Sequence, residues 1–265
     1  MTSVLWISDF FLSDGVTGGA ELVDDIVINS LREDYEVTIC NSSNVTRTDI
    51  ESSSYVFISN FINLSRLNRT MLEDKTYFIF EHDHKYLSTR DPAPFENHLA
   101  PPKFITNKEF YAKAKYVFCQ SSGHTLSLAK NLFINNLVNL GASLWTASQY
   151  EHLKRITATK TSSGRYAILD SPNIVKNTHL AELFCRKNNI EYDLISDNNW
   201  EKFMDKLSSY KGLIFFPKVY ESFCRLAVEA RMLNIELITN NNIAATSESW
   251  FSDLKGSKLI LFLQN

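Results

Sequence analysis

The sequence has few of the residues that stabilise disulfide-rich or zinc-binding proteins. It contains four cysteines, and no two of them have the C-x-x-C spacing of zinc or redox motifs. Each lies in or beside an apolar segment, so we expect free, buried thiols, as in a reducing compartment. The four are Cys40, Cys119, Cys185 and Cys224. The pattern favours a cytoplasmic protein without structural zinc.

The sequence also lacks the apolar segments that direct proteins into or across membranes. No apolar run approaches the roughly 18 residues of a membrane span. The first residues do not show the charged and then apolar regions of a signal peptide. We therefore expect no transmembrane segment, and a protein that is cytoplasmic or bound peripherally to a membrane.

The sequence has no large excess of charge of one sign. The formal net charge is −3, with 27 basic and 30 acidic side chains. Such a balance gives no general basic field, so bulk electrostatics do not indicate a nucleic-acid partner. A local basic groove remains compatible with this composition.

The chain is long enough for one large or two small domains, with 265 residues of which 44% are hydrophobic. Short apolar runs alternate with helical patterns, which predicts an α/β protein with parallel sheets. The predicted strands are 3–8, 35–40, 55–59, 76–80, 115–120, 137–141, 166–170, 192–195, 212–216, 235–239 and 258–262. The polar stretch 145–164 is interpreted as a connection between domains 1–150 and 151–265.

The most informative stretch is 216–230. Pro217 ends a buried strand, and Ser222 is a suitable N-cap for the helix that follows. Glu221 and Glu229 are eight positions apart, which places them on nearly the same helical face. In an open α/β sheet the helix end after a strand is a ligand site that favours phosphate. The alternative is an ordinary amphipathic helix with two solvated glutamates.

A second candidate site follows the first strand, where Gly18 and Gly19 open a helix. Glycines at such a turn let a ligand approach the backbone closely. The spacing is not that of a dinucleotide-binding G-x-G-x-x-G fingerprint, and a simple tight turn is the alternative.

A third candidate is the polar segment 81–85, Glu-His-Asp-His-Lys, at the carboxyl end of the fourth predicted strand. On an extended segment His82 and His84 share one side and Asp83 the other. Two ligands make a poor metal site, so we predict no metal and interpret His82 or His84 as a hydrogen-bonding residue of an active site. A solvated surface loop is the alternative.

The stretch Phe-Pro, then Glu221-Ser222-Phe223 and Glu229, resembles the E-x7-E motif of retaining, family 4 glycosyltransferases. By this resemblance Glu229 would bind the nucleotide ribose and Glu221 would lie beside the donor sugar. The amides of Ser222 and Phe223 would face the sugar hydroxyls and the diphosphate.

Other positions are similar to the same family in the same order. Gly18 and Gly19 match its N-terminal glycine loop, which faces the donor diphosphate and the acceptor. Lys176 matches a lysine that binds the donor phosphate. The arginine found a few residues earlier has no counterpart at 170–173, and Arg225 is a candidate substitute. The family also implies that His82 or His84 lies near the donor sugar.

The resemblance implies a compact GT-B fold, in which two Rossmann-like domains face each other across a cleft. The first domain would take the acceptor and the second the donor. The reaction would move a sugar from a UDP- or GDP-sugar to a hydroxyl with retention of anomeric configuration, with no cofactor or metal needed for the chemistry.

The acceptor that this family implies is a surface or lipid-linked glycan. Some viral enzymes of this fold glycosylate hydroxymethylated DNA bases instead. Basic and aromatic residues near a proline-rich excursion keep that alternative open, and the acidic net charge argues against it. They are Lys85, Arg90, Lys103, Phe104 and Lys108. An epimerase, a phosphorylase and a non-catalytic sugar-nucleotide-binding protein are further alternatives.

Overall fold

The computed structural model describes residues 2–15, 18–159 and 162–265. The chain divides into two compact units, Met1–Leu144 and Trp145–Asn265. The division falls six residues before the boundary predicted from the sequence. Among the described residues, no helix is long and apolar enough to cross a membrane.

The first unit is built on a parallel six-stranded sheet. Its strands are β1 (Ser3–Ser8), β2 (Glu36–Asn41), β3 (Tyr55–Ile58), β4 (Tyr77–Glu81), β5 (Tyr116–Cys119) and β6 (Leu137–Asn139). Its helices are α1 (Gly19–Leu31), α2 (Arg47–Ser52), α3 (Arg66–Leu72), α4 (Lys108–Lys113) and α5 (Ser122–Leu132). The spatial order is β2-β1-β3-β4-β5-β6.

Both faces of this sheet are apolar, which is why its strands read as nearly continuous hydrophobic runs. On one face Trp6 and Phe80 pack against Val23 of α1. On the other face Ile7 and Ile79 belong to a larger core that includes residues of the remaining helices, such as Leu128. Polar residues that directly follow the strands therefore collect at one edge of the sheet, where the carboxyl ends of all its strands lie.

The second unit contains a parallel four-stranded sheet. Its strands are β7 (Tyr166–Leu169), β8 (Tyr192–Ile195), β9 (Gly212–Phe215) and β10 (Glu236–Thr239), in the order β10-β9-β7-β8. Its helices are α6 (Ala147–Thr159), α7 (Thr178–Lys187), α8 (Trp200–Ser208), α9 (Arg225–Met232), α10 (Ser249–Asp253) and α11 (Ser257–Gln264). The main core lies on the face that carries Leu213 and Phe215, and α7 covers the other face through Ala181 and Cys185.

Every predicted strand except the last is present, with ends within two residues of the prediction. Residues 258–262 were expected as a strand but lie in α11. The reason is packing: Leu259 and Ile260 are buried while Leu261 and Phe262 are about half exposed, which is a helical pattern. Tyr150 donates a hydrogen bond to the carbonyl of Leu263, at 2.7 Å, and so attaches α11 to α6.

The predicted connection 145–164 is also corrected. Most of it is α6, whose residues Tyr150, Leu153 and Ile156 are buried in the core of the second unit. These three positions repeat every three residues and make one apolar helical face, which the abundant polar residues between them obscure. Lys160 and Thr161 of this segment lie outside the described residues.

Candidate functional site

The first feature of the second unit is an ion pair at the carboxyl ends of β7 and β9. Lys176 ends a short 3₁₀ turn after β7, and Glu221 lies in the loop after β9. Lys176 Nζ lies 2.8 Å from Glu221 Oε1. Desolvation lowers the pKa of Lys176, but the charge of Glu221 outweighs it and the pKa is raised above its ordinary value. The pair therefore presents a firmly charged ammonium group beside a partly exposed carboxylate.

The backbone of Glu221 is held by the loop after β10. Its amide donates to the carbonyl of Asn242 at 2.9 Å, and its carbonyl accepts from the amide of Ala244 at 2.9 Å. Together these bonds form an isolated parallel bridge between Glu221 and Ile243. The amide of Lys218 also donates to the carbonyl of Val175 at 2.8 Å. These bonds connect the loops after β7, β9 and β10, and they hold the backbone that carries the ion pair.

The predicted start of the motif helix is wrong. The helix α9 begins at Arg225, and its N-cap residue is Cys224, which adopts a left-handed conformation with φ of 72°. Ser222 is therefore not the N-cap, and Glu221 lies outside the helix. The two glutamates do not share a helical face. The cause is the pairing of Glu221 with the loop after β10, together with burial of Phe223 and Cys224 in the core.

Glu229 lies inside α9 and is nearly buried, at 4% exposure. Its Oε1 accepts hydrogen bonds from two indoles, from Trp145 Nε1 at 2.8 Å and from Trp200 Nε1 at 2.9 Å. Arg225 Nη2 lies 3.7 Å from the same oxygen. Sequence reasoning missed both tryptophans, because each is far from the motif along the chain.

Arg225 faces this buried cluster. Its guanidinium carbon lies 4.6 Å from the ring centroid of Trp145, a cation–π contact. Desolvation lowers the pKa of Arg225, and the charge of Glu229 acts against that effect. The guanidinium of Arg225 thus lies beside both the Glu229 carboxylate and the Trp145 ring.

Ser222 and Phe223 connect the two acidic residues. Ser222 is half-buried, whereas the Phe223 ring is buried at 2% exposure and packs against Trp145 and Trp250, with centroid distances of 6.3 and 6.1 Å. The Phe223 side chain therefore fixes the backbone of this segment.

In the first unit, Gly18 is the N-cap of α1 and Gly19 its first residue. A Cβ atom at Gly18 would collide with the carboxylate of Glu21. The side chain of Glu21 folds back over the helix start and is nearly buried. The obstructing atom is the end of a flexible side chain that can move aside, so this contact alone does not require glycine at position 18.

His82 lies in a buried hydrogen-bond network at the carboxyl ends of the strands. Its Nε2 lies 2.9 Å from Asp24 Oδ1, and its Nδ1 lies 2.7 Å from Gln120 Nε2. Because a carboxylate can only accept, the ring proton points from Nε2 to Asp24. Ser59 bonds the other carboxylate oxygen of Asp24. Asp24 and Gln120 were not singled out from the sequence.

His84 contacts a further group of buried side chains, Tyr86 and His124. Its φ of 58° interrupts the extended alternation on which the expected pairing of His82 with His84 rested. His84 Nδ1 lies 3.3 Å from the Tyr86 hydroxyl, and its ring meets His124 edge-on at 4.8 Å. Desolvation, His84, Lys85 and His82 hold the pKa of the buried His124 well below its ordinary value.

Lys85, considered above as a DNA contact, is not at the surface. It is 1% exposed, and its Nζ lies 2.6 Å from Asp83 Oδ1 and 3.3 Å from Glu81 Oε2. Burial raises the pKa of Glu81, but Lys85 and a hydrogen bond from Tyr111 outweigh burial and lower it. Arg90 pairs with Asp83. Lys85 therefore serves a buried ion-pair cluster, whereas the side chain of Arg90 is 48% exposed.

A pocket of about 370 Å³ opens between α1 and the sheet of the first unit. Its walls are mainly apolar and include Val23, Val27, Phe57, Phe80 and Phe118. Gln120 also lines it, so the His82 network reaches its wall. Within the described residues, no group of three or more His, Cys, Asp or Glu side chains is placed to hold a metal ion.

Comparison with known proteins reveals similarity in fold. No family profile matches the sequence, and no curated protein matches it in sequence. Solved structures do match. The Anabaena protein HepE, solved with UDP and glucose, aligns with a TM-score of 0.54 at 10% identity, over 93% of this chain and 82% of HepE. HepE solved with UDP-glucose gives 0.51 at 11% identity, over the same shares of the two chains.

A glycosyltransferase from Rickettsia africae ESF-5 aligns with a TM-score of 0.50 at 13% identity, over 99% of this chain and 86% of that one. These alignments cover nearly the whole chain and include both units. The chain therefore has the compact α/β GT-B fold of glycosyltransferases.

Proposed function

We propose that the protein is a glycosyltransferase that moves a sugar from a nucleotide-diphosphate sugar to a hydroxyl group. The observation that carries this proposal is the Lys176–Glu221 ion pair, at 2.8 Å, on the edge of the second sheet where ligands of open α/β sheets bind. The fold supports it independently, because the structures to which the chain is similar are glycosyltransferases or hold UDP-glucose.

The chemistry requires that negative charge on a leaving diphosphate be stabilised. Lys176 is the cation available for this at the site, and the raised pKa of its ammonium group keeps it protonated. Glu221 would lie beside the donor sugar, with the amides of Ser222 and Phe223 toward the sugar and the diphosphate. Glu229 would bind the ribose. These roles follow the resemblance to the E-x7-E motif.

On the acceptor side we assign Gly18 and Gly19 to the approach of the substrates, and the Asp24–His82–Gln120 network to the acceptor hydroxyl. His84 is assigned to support of that region, because it packs on His124. The apolar pocket beside Gln120 supports an acceptor that carries an apolar portion, as a lipid-linked glycan does. The burial of Lys85 in ion pairs with Glu81 and Asp83 argues against its use in binding a DNA acceptor.

Retention of anomeric configuration is part of the proposal. In the family that the motif resembles, the leaving phosphate itself assists deprotonation of the acceptor, so no carboxylate acts as a covalent nucleophile. That route differs from retaining glycoside hydrolysis, which needs two carboxylates about 5 Å apart. The assignment of Glu221 to the donor sugar requires no second carboxylate partner.

The test begins with calorimetric titration of UDP, GDP, UDP-glucose and GDP-mannose. We expect one nucleotide and its sugar to bind, and Lys176→Ala to weaken binding about tenfold or more, since hydrogen bonds to charged groups contribute roughly 1.5–3 kcal/mol. Failure of every nucleotide to bind would refute the proposal. The same panel with a lipid-linked and a free glycan acceptor, followed by NMR of the product, reports transfer and anomeric configuration.

A non-catalytic sugar-nucleotide-binding protein is the second candidate. It is favoured by the absence of the family's arginine, since Asp170, Ser171, Pro172 and Asn173 occupy that region. Nucleotide binding without release of UDP or GDP, in the presence of any acceptor of the panel, would select this candidate.

A further inference from the structure

We propose that Trp145 and Trp200 are positioning residues that orient Glu229, so that only its Oε2 receives the hydroxyls of a nucleotide ribose. This inference rests on the proposed function, because it assumes that a nucleotide binds to the second unit. It goes beyond that function by assigning roles to two residues outside the motif and by assigning the ribose to one oxygen of Glu229.

Oε1 of Glu229 is occupied by two indole donors. An indole N–H is a donor only, and a carboxylate oxygen has about two lone-pair sites. Trp145 and Trp200 fill both sites of Oε1, at 2.8 and 2.9 Å. A third donor from a ligand would have to displace one of the indoles.

Both indoles are held in place by their surroundings. Trp145 is 4% exposed and packs in the core, and its ring face carries the guanidinium of Arg225. Trp200 is the first residue of α8, whose start is capped by the Asn199 side chain. The two donors therefore come from different elements, and together they fix the rotation of the Glu229 carboxylate.

The other carboxylate oxygen of Glu229, Oε2, differs from Oε1. Among the described residues, no hydrogen bond of Glu229 ends on Oε2. Within the described part of the chain, Oε2 is also not one of the fully buried side-chain atoms that lack a partner. It is the acceptor that remains for a ligand. A ribose has two neighbouring hydroxyl donors, and a single carboxylate oxygen with two lone-pair sites can receive them.

The experiment compares UDP with 2′,3′-dideoxy-UDP on the full chain, by calorimetry, in wild type, Trp145→Phe and Trp200→Phe. Phenylalanine keeps an aromatic ring and removes the N–H donor. We expect each variant to lose about tenfold in affinity for UDP, the cost of a misaligned charged hydrogen bond, and almost none for the dideoxy analogue. Trp250→Phe is the matched control, because Trp250 lies in the same core, whereas the indoles that donate to Glu229 Oε1 are those of Trp145 and Trp200.

The variant Glu229→Gln tests the role of Oε2 directly. Its side-chain oxygen still accepts from both indoles, so the fold is expected to be retained, while an amide replaces Oε2. The preference for UDP over the dideoxy analogue should fall about tenfold.

The outcomes separate this inference from the proposed function. Equal losses for UDP and its dideoxy analogue in the tryptophan variants would mean that the indoles only stabilise the core, and would overturn the inference while leaving the proposed function standing. Unchanged affinities would overturn it as well. If UDP and GDP both fail to bind the wild-type chain, the proposed function fails first, and the inference fails with it.

Discussion

Lys176 and Glu221 are 45 positions apart in the chain, and their charged groups meet at 2.8 Å on the edge of the second sheet. The pair combines the cation that the proposed chemistry needs with the first glutamate of the motif. Their side chains are 32% and 19% exposed, so a ligand can still reach them.

Replacement of Lys176 should weaken nucleotide binding strongly while changing the stability of the protein only slightly. Lys176→Met is expected to reduce UDP affinity about tenfold or more, but to lower the free energy of unfolding by only about 1 kcal/mol, because solvent screens a partly exposed pair. Calorimetry and urea denaturation measure the two effects. Lys218→Met, a change at an exposed lysine of the neighbouring loop, is the control. If Lys176→Met and Lys218→Met changed the affinity for UDP equally, Lys176 would not be a nucleotide-binding residue.

Glu221→Gln should affect transfer rather than nucleotide binding. The change removes the negative charge that holds Lys176, so the ammonium group becomes free to contact the diphosphate. We expect UDP affinity to be retained or increased, and sugar transfer to be abolished. Titration with UDP, together with an assay of UDP release in the presence of acceptor, measures both. A variant that transfers sugar at the wild-type rate would contradict the assignment of Glu221 beside the donor sugar.

Asp24→Asn should destabilise the first unit. The carboxylate is 1% exposed and bonds His82 and Ser59, so the change removes charged hydrogen bonds in a buried network. We expect a loss of about 1–3 kcal/mol in the free energy of unfolding. Asp25→Asn, on the same helix at a partly exposed position, should cost much less. Similar losses for both would show that the network contributes little.

His124 should make stability depend on pH. Its pKa is well below the ordinary 6.5 in the folded protein because desolvation and three neighbouring basic residues disfavour its charged form. Because the pKa of His124 is lower in the folded than in the unfolded chain, protonation favours unfolding. His124 therefore leaves the free energy of unfolding unchanged above pH 6.5 and lowers it as the pH falls below that value, where the unfolded chain binds the proton.

Denaturation between pH 5 and 8 tests this expectation, with His124→Leu as the comparison. Both ring nitrogens of His124 are buried without a hydrogen-bond partner among the described residues, so leucine should be tolerated. The variant should lose less stability between pH 7 and pH 5 than the wild type. An identical slope in the two proteins would assign the pH dependence to other groups.

The strands could be predicted from the sequence because each contains a short run of apolar or β-branched residues, which is a local property of the sequence. The same reasoning failed for 258–262, since an apolar run of five residues fits a strand or a buried helix equally well. It failed for α6 because polar residues separate Tyr150, Leu153 and Ile156. The left-handed Cys224, which moves Glu221 out of the helix, follows from a pairing with Ile243 that no local pattern indicates.

Some residues of the candidate site could be predicted from the sequence, and others could not. Lys176, Glu221 and Gly18 lie at strand-to-helix junctions, and sequence reasoning can find such junctions. The partners of Glu229 and His82 could not be found, because Trp145 is 84 positions from Glu229 and Asp24 is 58 positions from His82. Such contacts depend on which strands are neighbours and which helix covers them, and sheet order is a property of the whole fold.

The buried cysteines provide separate reporters of opening for the two units. All four cysteines are free, with Cys119 buried in the first unit and Cys185 and Cys224 buried in the second. Desolvation raises the pKa of each of these three thiols, which suppresses the reactive thiolate while the fold is intact. Alkylation of Cys119 can therefore be followed by mass spectrometry separately from that of Cys185 and Cys224. The relative rates would show whether the two halves of the chain unfold together or one before the other.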